Sequence, residues 1–212
     1  MNLKHRLVVF DMDGTLIPHS TALLEIAKIK GHTKQLELLE KQYTEKLLDN
    51  GQFAEAIHSL WQDLSHQTVK EAFDKAPKLK NIHAVLTLIA KQGGISCLIT
   101  AAPDFFANHF KDFGFDYILA SQPFNLEDRI FKADQVLHGR DKPILVQKLC
   151  QQLNLFFAET LAFGDSLSDV PLFEKLYHTV AINGDTAIDA LAKYRYKGFD
   201  LLEAFQQSFL TN

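Results

Sequence analysis

Four apolar runs in this 212-residue sequence each end in a short polar signature. They are Phe10 before Asp11-Met12-Asp13-Gly14-Thr15, Ile99 before Thr100, Phe163 before Gly164-Asp165-Ser166, and Ile182 before Asn183-Gly184-Asp185. Continuous apolar runs rich in Val, Ile and Leu are typical of parallel strands that are buried on both faces. In parallel α/β sheets, ligands bind at the carboxyl ends of the strands. The polar signatures therefore predict a functional site at one edge of such a sheet.

The order of the helix and strand patterns predicts the fold class. Between Ser20 and about Ala76, apolar residues recur at helical spacing through about four segments with no strand pattern between them. Strand and helix patterns alternate in the rest of the chain, which favours an α/β fold with a doubly wound parallel sheet. We predict a core domain formed by residues 1–17 and 78–212, and a helical cap, residues 18–77, inserted after the first strand. A short hairpin is expected at 123–131.

Composition and charge argue against several classes of partner. The net charge is −4 and the basic residues are scattered, so we expect no nucleic-acid partner. No apolar stretch approaches the ~20 residues of a membrane-spanning helix, and the apolar run after Lys4-His5-Arg6 is too short for a signal core. Cys97 and Cys150 lie in separate apolar segments, which indicates buried thiols in a reducing compartment. We expect a cytoplasmic monomer or homodimer with no membrane partner.

Two aspartates one residue apart follow the first predicted strand. Side chains at a spacing of two lie on the same side of a strand, so Asp11 and Asp13 can converge where the strand ends. Gly14 allows a sharp turn that exposes backbone amides, and the Thr15 hydroxyl can hold that turn by hydrogen bonding. One carboxylate could then act as a nucleophile while the other transfers a proton. A tight turn with a helix cap is the alternative interpretation.

Asp165 and Asp169 follow a later strand and suit a metal ion. A carboxylate at a strand end is a good ligand for a hard cation such as Mg²⁺. The cation would neutralise charge between Asp11 and a phosphate dianion. The same segment predicts a helix start, with Ser168 as the N-cap and Asp169 near the positive end of the helix dipole. The two interpretations are compatible, because helix N-termini also attract anions.

Thr100 and Lys142 supply groups that can bind a phosphoryl oxygen. The Thr100 hydroxyl and the amides after it, beginning with Ala101, can donate hydrogen bonds, although a plain helix cap before Pro103 is the alternative. Lys142 opens a predicted helix, where a positive charge opposes the helix dipole. This misfit indicates another role, such as holding a carboxylate and a phosphate together.

Taken in order, these segments resemble the motifs of the haloacid dehalogenase (HAD) superfamily of aspartate-nucleophile phosphotransferases. The matching residues are Asp11-Met12-Asp13-Gly14-Thr15, Thr100, Lys142, and Gly164-Asp165-Ser166 through Asp169. The helical insertion after the first motif is similar to a C1-type cap. Thr100-Ala101-Ala102-Pro103, and Gly139 three residues before Lys142, resemble the phosphoserine-phosphatase-like branch, subfamily IB.

The resemblance implies a reaction and a cofactor. Asp11 would attack phosphorus and form an aspartyl-phosphate, while Asp13 would protonate the leaving alcohol and later activate water. Mg²⁺ would be held by Asp11, the backbone carbonyl of Asp13, and Asp165. The expected activity is that of a phosphoric monoester hydrolase, a phosphatase acting on a small phosphorylated metabolite.

The resemblance also assigns the groups around the phosphate. Thr100 and Lys142 would bind the phosphoryl group, and Asp169 would orient Lys142 or the waters of the metal. A phosphotransferase that passes the phosphoryl group to another alcohol is the alternative within enzymes. A catalytically silent module that binds a phosphorylated metabolite is the alternative from another class, although such a module has no chemical need for both Asp11 and Asp13.

The cap departs from the pattern of phosphoserine phosphatases. Those enzymes carry a glutamate near the position of Ser20 and an arginine near that of His58, which clamp the ammonium and carboxylate of the substrate. A hydroxyl and an imidazole make a poorer clamp for a zwitterion, so we do not expect phosphoserine as the substrate. His19, Ser20 and His58 are the predicted substrate contacts, and the cap, which also offers Trp61 and several Phe, suits a more apolar or partly basic alcohol.

Overall fold

The computed structural model describes residues 7–208 of the chain, so the Lys4-His5-Arg6 cluster lies outside the described part. The strands are β1 (Leu7–Phe10), β2 (Asp13–Gly14), β3 (Ile17–Pro18), β4 (Ile95–Pro103), β5 (Tyr117–Ser121), β6 (Thr160–Gly164), β7 (His178–Ile182) and β8 (Tyr194–Tyr196). β2 and β3 form a small two-stranded ladder, and the other strands form one six-stranded sheet.

The position of β1 in the large sheet determines where a ligand can bind. The strand order is β5-β4-β1-β6-β7-β8, and every pairing in it is parallel. Phe10 lies opposite Leu98 of β4 and Phe163 of β6, so these three strands end at the same edge. Because β4 and β5 lie on one side of β1 and β6 to β8 on the other, β1 marks the switch point at which doubly wound sheets bind ligands. The predicted α/β fold is confirmed.

Ten α-helices and several 3₁₀ turns complete residues 7–208. The helices are α1 (Ala22–Lys30), α2 (Thr33–Thr44), α3 (Asn50–Leu60), α4 (His66–Lys75), α5 (Ile82–Lys91), α6 (Asp104–Ala107), α7 (Lys142–Gln152), α8 (Val170–Phe173), α9 (Thr186–Leu191) and α10 (Leu201–Gln207). Across this described range, no helix has both the length and the apolar character needed to cross a membrane.

The apolar residues of β1 hold the strand between two layers of side chains. Val8 and Phe10 face a core cluster that continues into α1 to α4, whereas Leu7 and Val9 face a second cluster formed with α7 and α8. The Phe10 ring stacks on that of Phe163, with ring centroids 4.8 Å apart. Burial on both faces is what a continuous apolar run predicts, and it fixes the position of the polar residues that follow β1.

Helices α1 to α4 form the predicted cap-like insertion. α1 packs against α2 and α4, and α2 packs against α3. The side chains of Thr21, Asp49 and Ser65 accept N-cap hydrogen bonds at the starts of α1, α3 and α4. The two segments that connect these helices to the core lie side by side, because the Leu79 amide donates a hydrogen bond to the Leu16 carbonyl at 3.0 Å. The exact division into two domains stays a prediction.

The hairpin expected at 123–131 is not formed. This segment contains no strand, and the side chain of Asn125 accepts hydrogen bonds from the amides of Glu127 and Asp128 at 2.9 and 2.7 Å. An Asx turn of this kind satisfies the backbone locally, so paired strands are not required on either side of it. Conversely, the edge strand β8 is present in the structure although the sequence does not predict it, because this segment lacks an apolar run.

Candidate active site

A buried lysine joins two carboxylates at the carboxyl edge of the sheet. Lys142, the first residue of α7, places its Nζ 2.7 Å from Oδ1 of Asp11 and 2.7 Å from Oδ1 of Asp169. All three side chains are buried. Burial alone would lower the pKa of Lys142, but the two carboxylates raise that pKa above its usual range, so the ammonium stays charged. The geometry explains why a lysine is placed at a helix start that would otherwise repel it.

A hydroxyl links the carboxylate of Asp11 to a third carboxylate. Thr15 Oγ1 lies 3.2 Å from Oδ2 of Asp11 and 3.1 Å from Oδ1 of Asp165. Burial and the charge of Asp169 raise the pKa of Asp11 to about 6 against the lowering effect of Lys142. Burial and the charge of Asp11 raise the pKa of Asp165 to about 8. Three carboxylates around one ammonium leave an excess of negative charge that a further cation would relieve.

These carboxylates form the acidic cluster that could hold a metal ion. One oxygen from each of Asp11, Asp165 and Asp169 lies within 4.8 Å of the others. Such oxygens are the donors that hard cations prefer. Asp169 is already engaged, because its Oδ1 pairs with Lys142 and its Oδ2 accepts the Asp165 amide at 3.0 Å. The donor set therefore fits a cation held mainly by Asp11 and Asp165, with Asp169 positioning its neighbours.

The second aspartate after β1 reaches the first turn of α1. Oδ1 of Asp13 accepts a hydrogen bond from the amide of Ala22 at 2.8 Å. Burial raises the pKa of Asp13 to about 7, although the hydrogen bond from Ala22 lowers it. A carboxyl group with a pKa near 7 can both donate and accept a proton at neutral pH. Asp11 and Asp13 thus differ in surroundings, one paired with an ammonium and the other with an uncharged amide.

The functional side chains line a cavity of about 450 Å³, which we call the catalytic cavity. Its walls are formed by Asp11, Asp13, Gly14, His19, Ser20, Thr21, Leu24, Glu40, Thr100, Ala101, Ala102, Asp165, Ser166 and Ser168. Thr100 Oγ1 accepts the amide of Ala102 at 3.0 Å, which leaves the hydroxyl hydrogen for another acceptor. Thr100 is buried and Ala101 is exposed, so a hydroxyl and a short backbone segment face the space beside Asp11.

The backbone at Gly14 lies too close to Asp165 to leave room for a side chain. Its φ is +80°, and an added Cβ would lie 2.1 Å from Oδ2 of Asp165. We expect Gly14→Ala to lower the free energy of unfolding by about 2–5 kcal/mol, from the strained φ and the forced shift of Asp165. Displacement of that carboxylate should also lower kcat/KM by ~10²-fold. Urea denaturation and steady-state kinetics measure the two effects.

Gly93→Ala is the matched control for Gly14→Ala. Gly93 has a φ of +74° but no atom within 4 Å of the added Cβ, so it isolates the cost of the backbone conformation. We expect a loss of about 1–2 kcal/mol with unchanged kinetics. Equal losses of stability in the two variants, with full activity in Gly14→Ala, would contradict the close approach to Asp165.

Two of the three predicted substrate residues line the catalytic cavity. His19 is exposed there and has a φ of 57°. Ser20 also lines the cavity, but its hydroxyl donates to the carboxylate of Glu25. Glu25 in turn pairs with Lys28 at 2.6 Å. The Ser20 hydroxyl is therefore held by the cap, and His19 is the more available of the two groups.

His58, the third predicted substrate residue, lies apart from the other two. His58 does not line the catalytic cavity, and its Nε2 lies 2.8 Å from the carbonyl oxygen of Arg129. Its ring packs against Phe124 and Phe131, with ring centroids 4.6 and 5.6 Å apart. His58 therefore joins α3 to the loop that follows β5. Sequence position alone does not reveal in which direction a side chain on a cap helix points.

The polar signature after β7 supports the site from outside the cavity. The Asp185 side chain caps α9 by accepting the amides of Ala187 and Ile188, and its own amide donates to the carbonyl of Asp165 at 3.0 Å.

Two hydroxyl groups of the site have roles that the sequence analysis does not predict. The sequence predicts that Thr15 holds a turn, but not that its hydroxyl bridges two carboxylates. It likewise does not predict that Ser168 Oγ lies 3.4 Å from the Nζ of Lys142. The only sequence feature that indicates these roles is that each hydroxyl lies next to a predicted aspartate motif.

A model of the haloacid dehalogenase-like hydrolase family matches residues 8–174. Since this match covers most of the sequence, the chain belongs to that family. The predicted HAD superfamily is confirmed, and so is the predicted fold class, an HAD-type α/β core.

Named relatives and solved structures point to one branch of the family. The phosphoserine phosphatase of Methanocaldococcus jannaschii is 25% identical over 179 residues, which are 82% of this chain and 84% of the relative. A solved phospho-aspartyl intermediate analogue of phosphoserine phosphatase has a TM-score of 0.79 at 22% identity, covering 96% of this chain and 98% of that one. An HAD family hydrolase from Salmonella enterica serovar Typhi has a TM-score of 0.83 at 21% identity, covering 96% of this chain and 72% of that one.

These similarities agree with the prediction of the phosphoserine-phosphatase-like branch. Together with the family match, they support the predicted enzyme class, an HAD-type phosphoric monoester hydrolase.

Proposed function

We propose that this chain is a Mg²⁺-dependent phosphomonoesterase that acts on a small phosphorylated metabolite through an aspartyl-phosphate on Asp11. The observation that carries the proposal is the buried pairing of Asp11 with Lys142 at 2.7 Å, at the wall of a cavity that also contains Asp13 and Thr100. The residues that we propose as nucleophile, proton carrier and phosphoryl-binding group thus lie around one space, which supports the proposal. Similarity in fold to a phospho-aspartyl intermediate analogue of phosphoserine phosphatase adds support.

Asp11 acts as the nucleophile in the first step. One of its oxygens forms a bond to phosphorus while the bond between phosphorus and the alcohol oxygen breaks. Lys142 holds the attacking carboxylate in place and offsets the charge of the incoming phosphate. The Thr100 hydroxyl and the amide of Ala101 donate hydrogen bonds to phosphoryl oxygens. In the second step water attacks phosphorus, inorganic phosphate leaves, and the Asp11 carboxylate is regenerated.

Asp13 carries the proton in both steps. With its pKa raised to about 7 by burial, Asp13 can enter the first step protonated and give that proton to the alcohol oxygen. The resulting carboxylate then removes a proton from the attacking water. The hydrogen bond from Ala22 holds Asp13 while its charge changes, and it ties proton transfer to the position of α1.

Mg²⁺ is the cation that the acidic cluster suits. Asp11, Asp165 and the backbone carbonyl of Asp13 would hold it, and the excess negative charge of the cluster favours binding. When bound, a divalent cation neutralises the repulsion between a carboxylate nucleophile and a phosphate dianion.

Release of inorganic phosphate tests the proposed function. The wild-type protein is incubated with p-nitrophenyl phosphate and a panel of phosphorylated metabolites, in Mg²⁺ and in EDTA. We expect hydrolysis that EDTA abolishes and that added Mg²⁺ restores. Added alcohol acceptors in the same assay distinguish hydrolysis from transfer, since transfer yields new phosphate esters. A folded, Mg²⁺-loaded protein that hydrolyses none of the compounds would contradict the proposal.

Substitution of Asp13 is expected to separate the two chemical steps. In Asp13→Asn, p-nitrophenolate can leave without a proton, but water loses its general base, which is worth ~10²–10⁴-fold. We expect a rapid burst of one p-nitrophenolate per active site, followed by slow turnover in stopped-flow absorbance. Asp112→Asn, on an exposed 3₁₀ turn, is the control and should give the wild-type time course. Wild-type steady-state turnover by Asp13→Asn would contradict this role.

A further inference from the structure

A second, apolar cavity adjoins the catalytic cavity. It has a volume of about 200 Å³ and lies between the cap, the end of β4 and the segment that follows β5. Asp13 lines both cavities, so the proton carrier stands at their junction. The apolar wall includes Leu23, Phe53, Ile57, Pro103, Phe124 and Val136. We call this space the apolar cavity.

The polar side chains of the apolar cavity are engaged with one another or with the backbone. The Tyr43 hydroxyl donates to the side chain of Asn50. The Ser121 hydroxyl donates to the carbonyl of Ala101 at 2.7 Å and accepts the amide of Leu137 at 2.8 Å. A ligand in this space would therefore meet mainly apolar surface, with Asp13 at one end.

The charges around the two cavities discriminate against an anionic leaving group. In the described part of the chain, no lysine or arginine lines either cavity. The charge of Lys142 is buried and paired with Asp11 and Asp169, and Glu40 adds a carboxylate to the wall of the catalytic cavity on the cap side. A carboxylate on a leaving group held within these two cavities would be desolvated with no lysine or arginine of their walls as a partner.

We propose that the physiological substrate is a phosphomonoester of an alcohol with an apolar body and no carboxylate, such as an aryl-alkyl or branched alkyl alcohol. This inference rests on the proposed function. The phosphoryl group occupies the catalytic cavity beside Asp11, and the apolar body of the alcohol fills the apolar cavity. Its ester oxygen then lies at Asp13, which donates the proton as the bond between phosphorus and oxygen breaks. The neutral alcohol leaves, and the aspartyl-phosphate remains.

The test compares three alkyl phosphates with Mg²⁺-loaded wild-type protein: benzyl phosphate, ethyl phosphate and O-phosphoserine. All three have primary alcohol leaving groups, so differences in kcat/KM report recognition more than intrinsic reactivity. We expect benzyl phosphate to exceed O-phosphoserine by ~10²-fold and ethyl phosphate by ~10-fold or more, the range that apolar pockets and unpaired polar groups provide.

Variants of the apolar cavity make the test specific. Phe53→Ala removes part of the wall, and Ala54→Leu fills the space without truncating any side chain. Both should reduce the ratio of kcat/KM for benzyl phosphate to that for ethyl phosphate by ~10-fold. Leu38→Ala, an exposed position on α2, is the matched control and should leave that ratio unchanged. Glu40→Gln should raise kcat/KM for O-phosphoserine relative to benzyl phosphate.

The outcomes separate this inference from the proposed function. A preference for O-phosphoserine over benzyl phosphate, or a ratio that neither Phe53→Ala nor Ala54→Leu alters, would overturn the inference while leaving a working phosphatase. Absence of hydrolysis of all three esters by a folded protein that still hydrolyses p-nitrophenyl phosphate would overturn the inference alone, whereas absence of hydrolysis of every compound, p-nitrophenyl phosphate included, would contradict the proposed function as well.

Discussion

Replacing Asp11 with asparagine is expected to lower kcat by at least ~10⁴-fold, as loss of the nucleophile does in other enzymes with covalent intermediates. The amide is nearly isosteric with the carboxylate, but it is neutral and a much weaker nucleophile, so it cannot form the acyl phosphate. Lys142 keeps Asp169 as a partner at 2.7 Å, so the buried ammonium is not left uncompensated. The variant should therefore fold, and phosphate release from p-nitrophenyl phosphate in Mg²⁺ measures the loss.

Two comparisons make the Asp11→Asn result interpretable. Circular dichroism and urea denaturation should show the wild-type fold. The substitution breaks one ion pair, but it also removes a buried charge whose desolvation destabilises the folded protein. Asp112→Asn changes an exposed aspartate in the same chemical way and should keep wild-type kcat. Retention of full activity by Asp11→Asn would contradict the assignment of this residue.

Removal of the buried ammonium is expected to damage both stability and catalysis. Lys142→Met leaves the carboxylates of Asp11 and Asp169 buried without their cationic partner. Breaking a buried pair in this way costs about 3–5 kcal/mol of unfolding free energy. Loss of the positive charge that holds the proposed nucleophile and offsets the charge of the phosphate should lower kcat/KM by a further ~10²–10³-fold. Urea denaturation in EDTA measures the first effect, and steady-state kinetics in Mg²⁺ measure the second.

Lys148→Met controls for the removal of a lysine from the same helix. Lys148 is exposed on α7, so its loss should change stability by less than ~0.5 kcal/mol and leave kinetics unaltered. If Lys142→Met proved too unstable to purify, Lys142→Arg would keep the charge but change the shape of the donor. We expect Lys142→Arg to fold and to lose activity. Wild-type stability and kinetics in Lys142→Met would refute the ion-pair account.

The parts of the fold that local sequence determines were predictable. The apolar run of β1 indicated a strand buried on both faces, because every residue between Leu7 and Phe10 is apolar and has no polar face to expose. β8 reads Tyr-Arg-Tyr and lies at the edge of the sheet, so its pairing with β7 depends on tertiary contacts. The prediction of a hairpin at 123–131 is wrong because the same turn residues occur in hairpins and in isolated Asx turns.

The sequence predicts those site residues whose positions are determined by the strands on which they lie. Parallel strands bring Asp11, Thr100 and Asp165 to one edge whatever their rotamers. The bond from the Ala22 amide to Asp13 depends on how the cap sits on the core, which spacing in the sequence does not encode.

Side-chain direction in the cap was harder to predict than the core site. His58 lies in the cap, on α3, and its ring packs against Phe124 and Phe131 of the segment after β5. The apolar cavity is built from separate elements of cap and core, so only their packing reveals it.

Chemical trapping of the intermediate tests the central claim most directly. Wild type, Asp11→Asn and Asp13→Asn are mixed with excess p-nitrophenyl phosphate in Mg²⁺, quenched in acid, reduced with borohydride and analysed by peptide mass spectrometry. Borohydride converts an acyl phosphate on aspartate into homoserine. We predict homoserine at position 11 in wild type, more of it in Asp13→Asn because hydrolysis is slowed, and none in Asp11→Asn. Phosphate release by wild type without any modification at position 11 in either active protein would contradict the account.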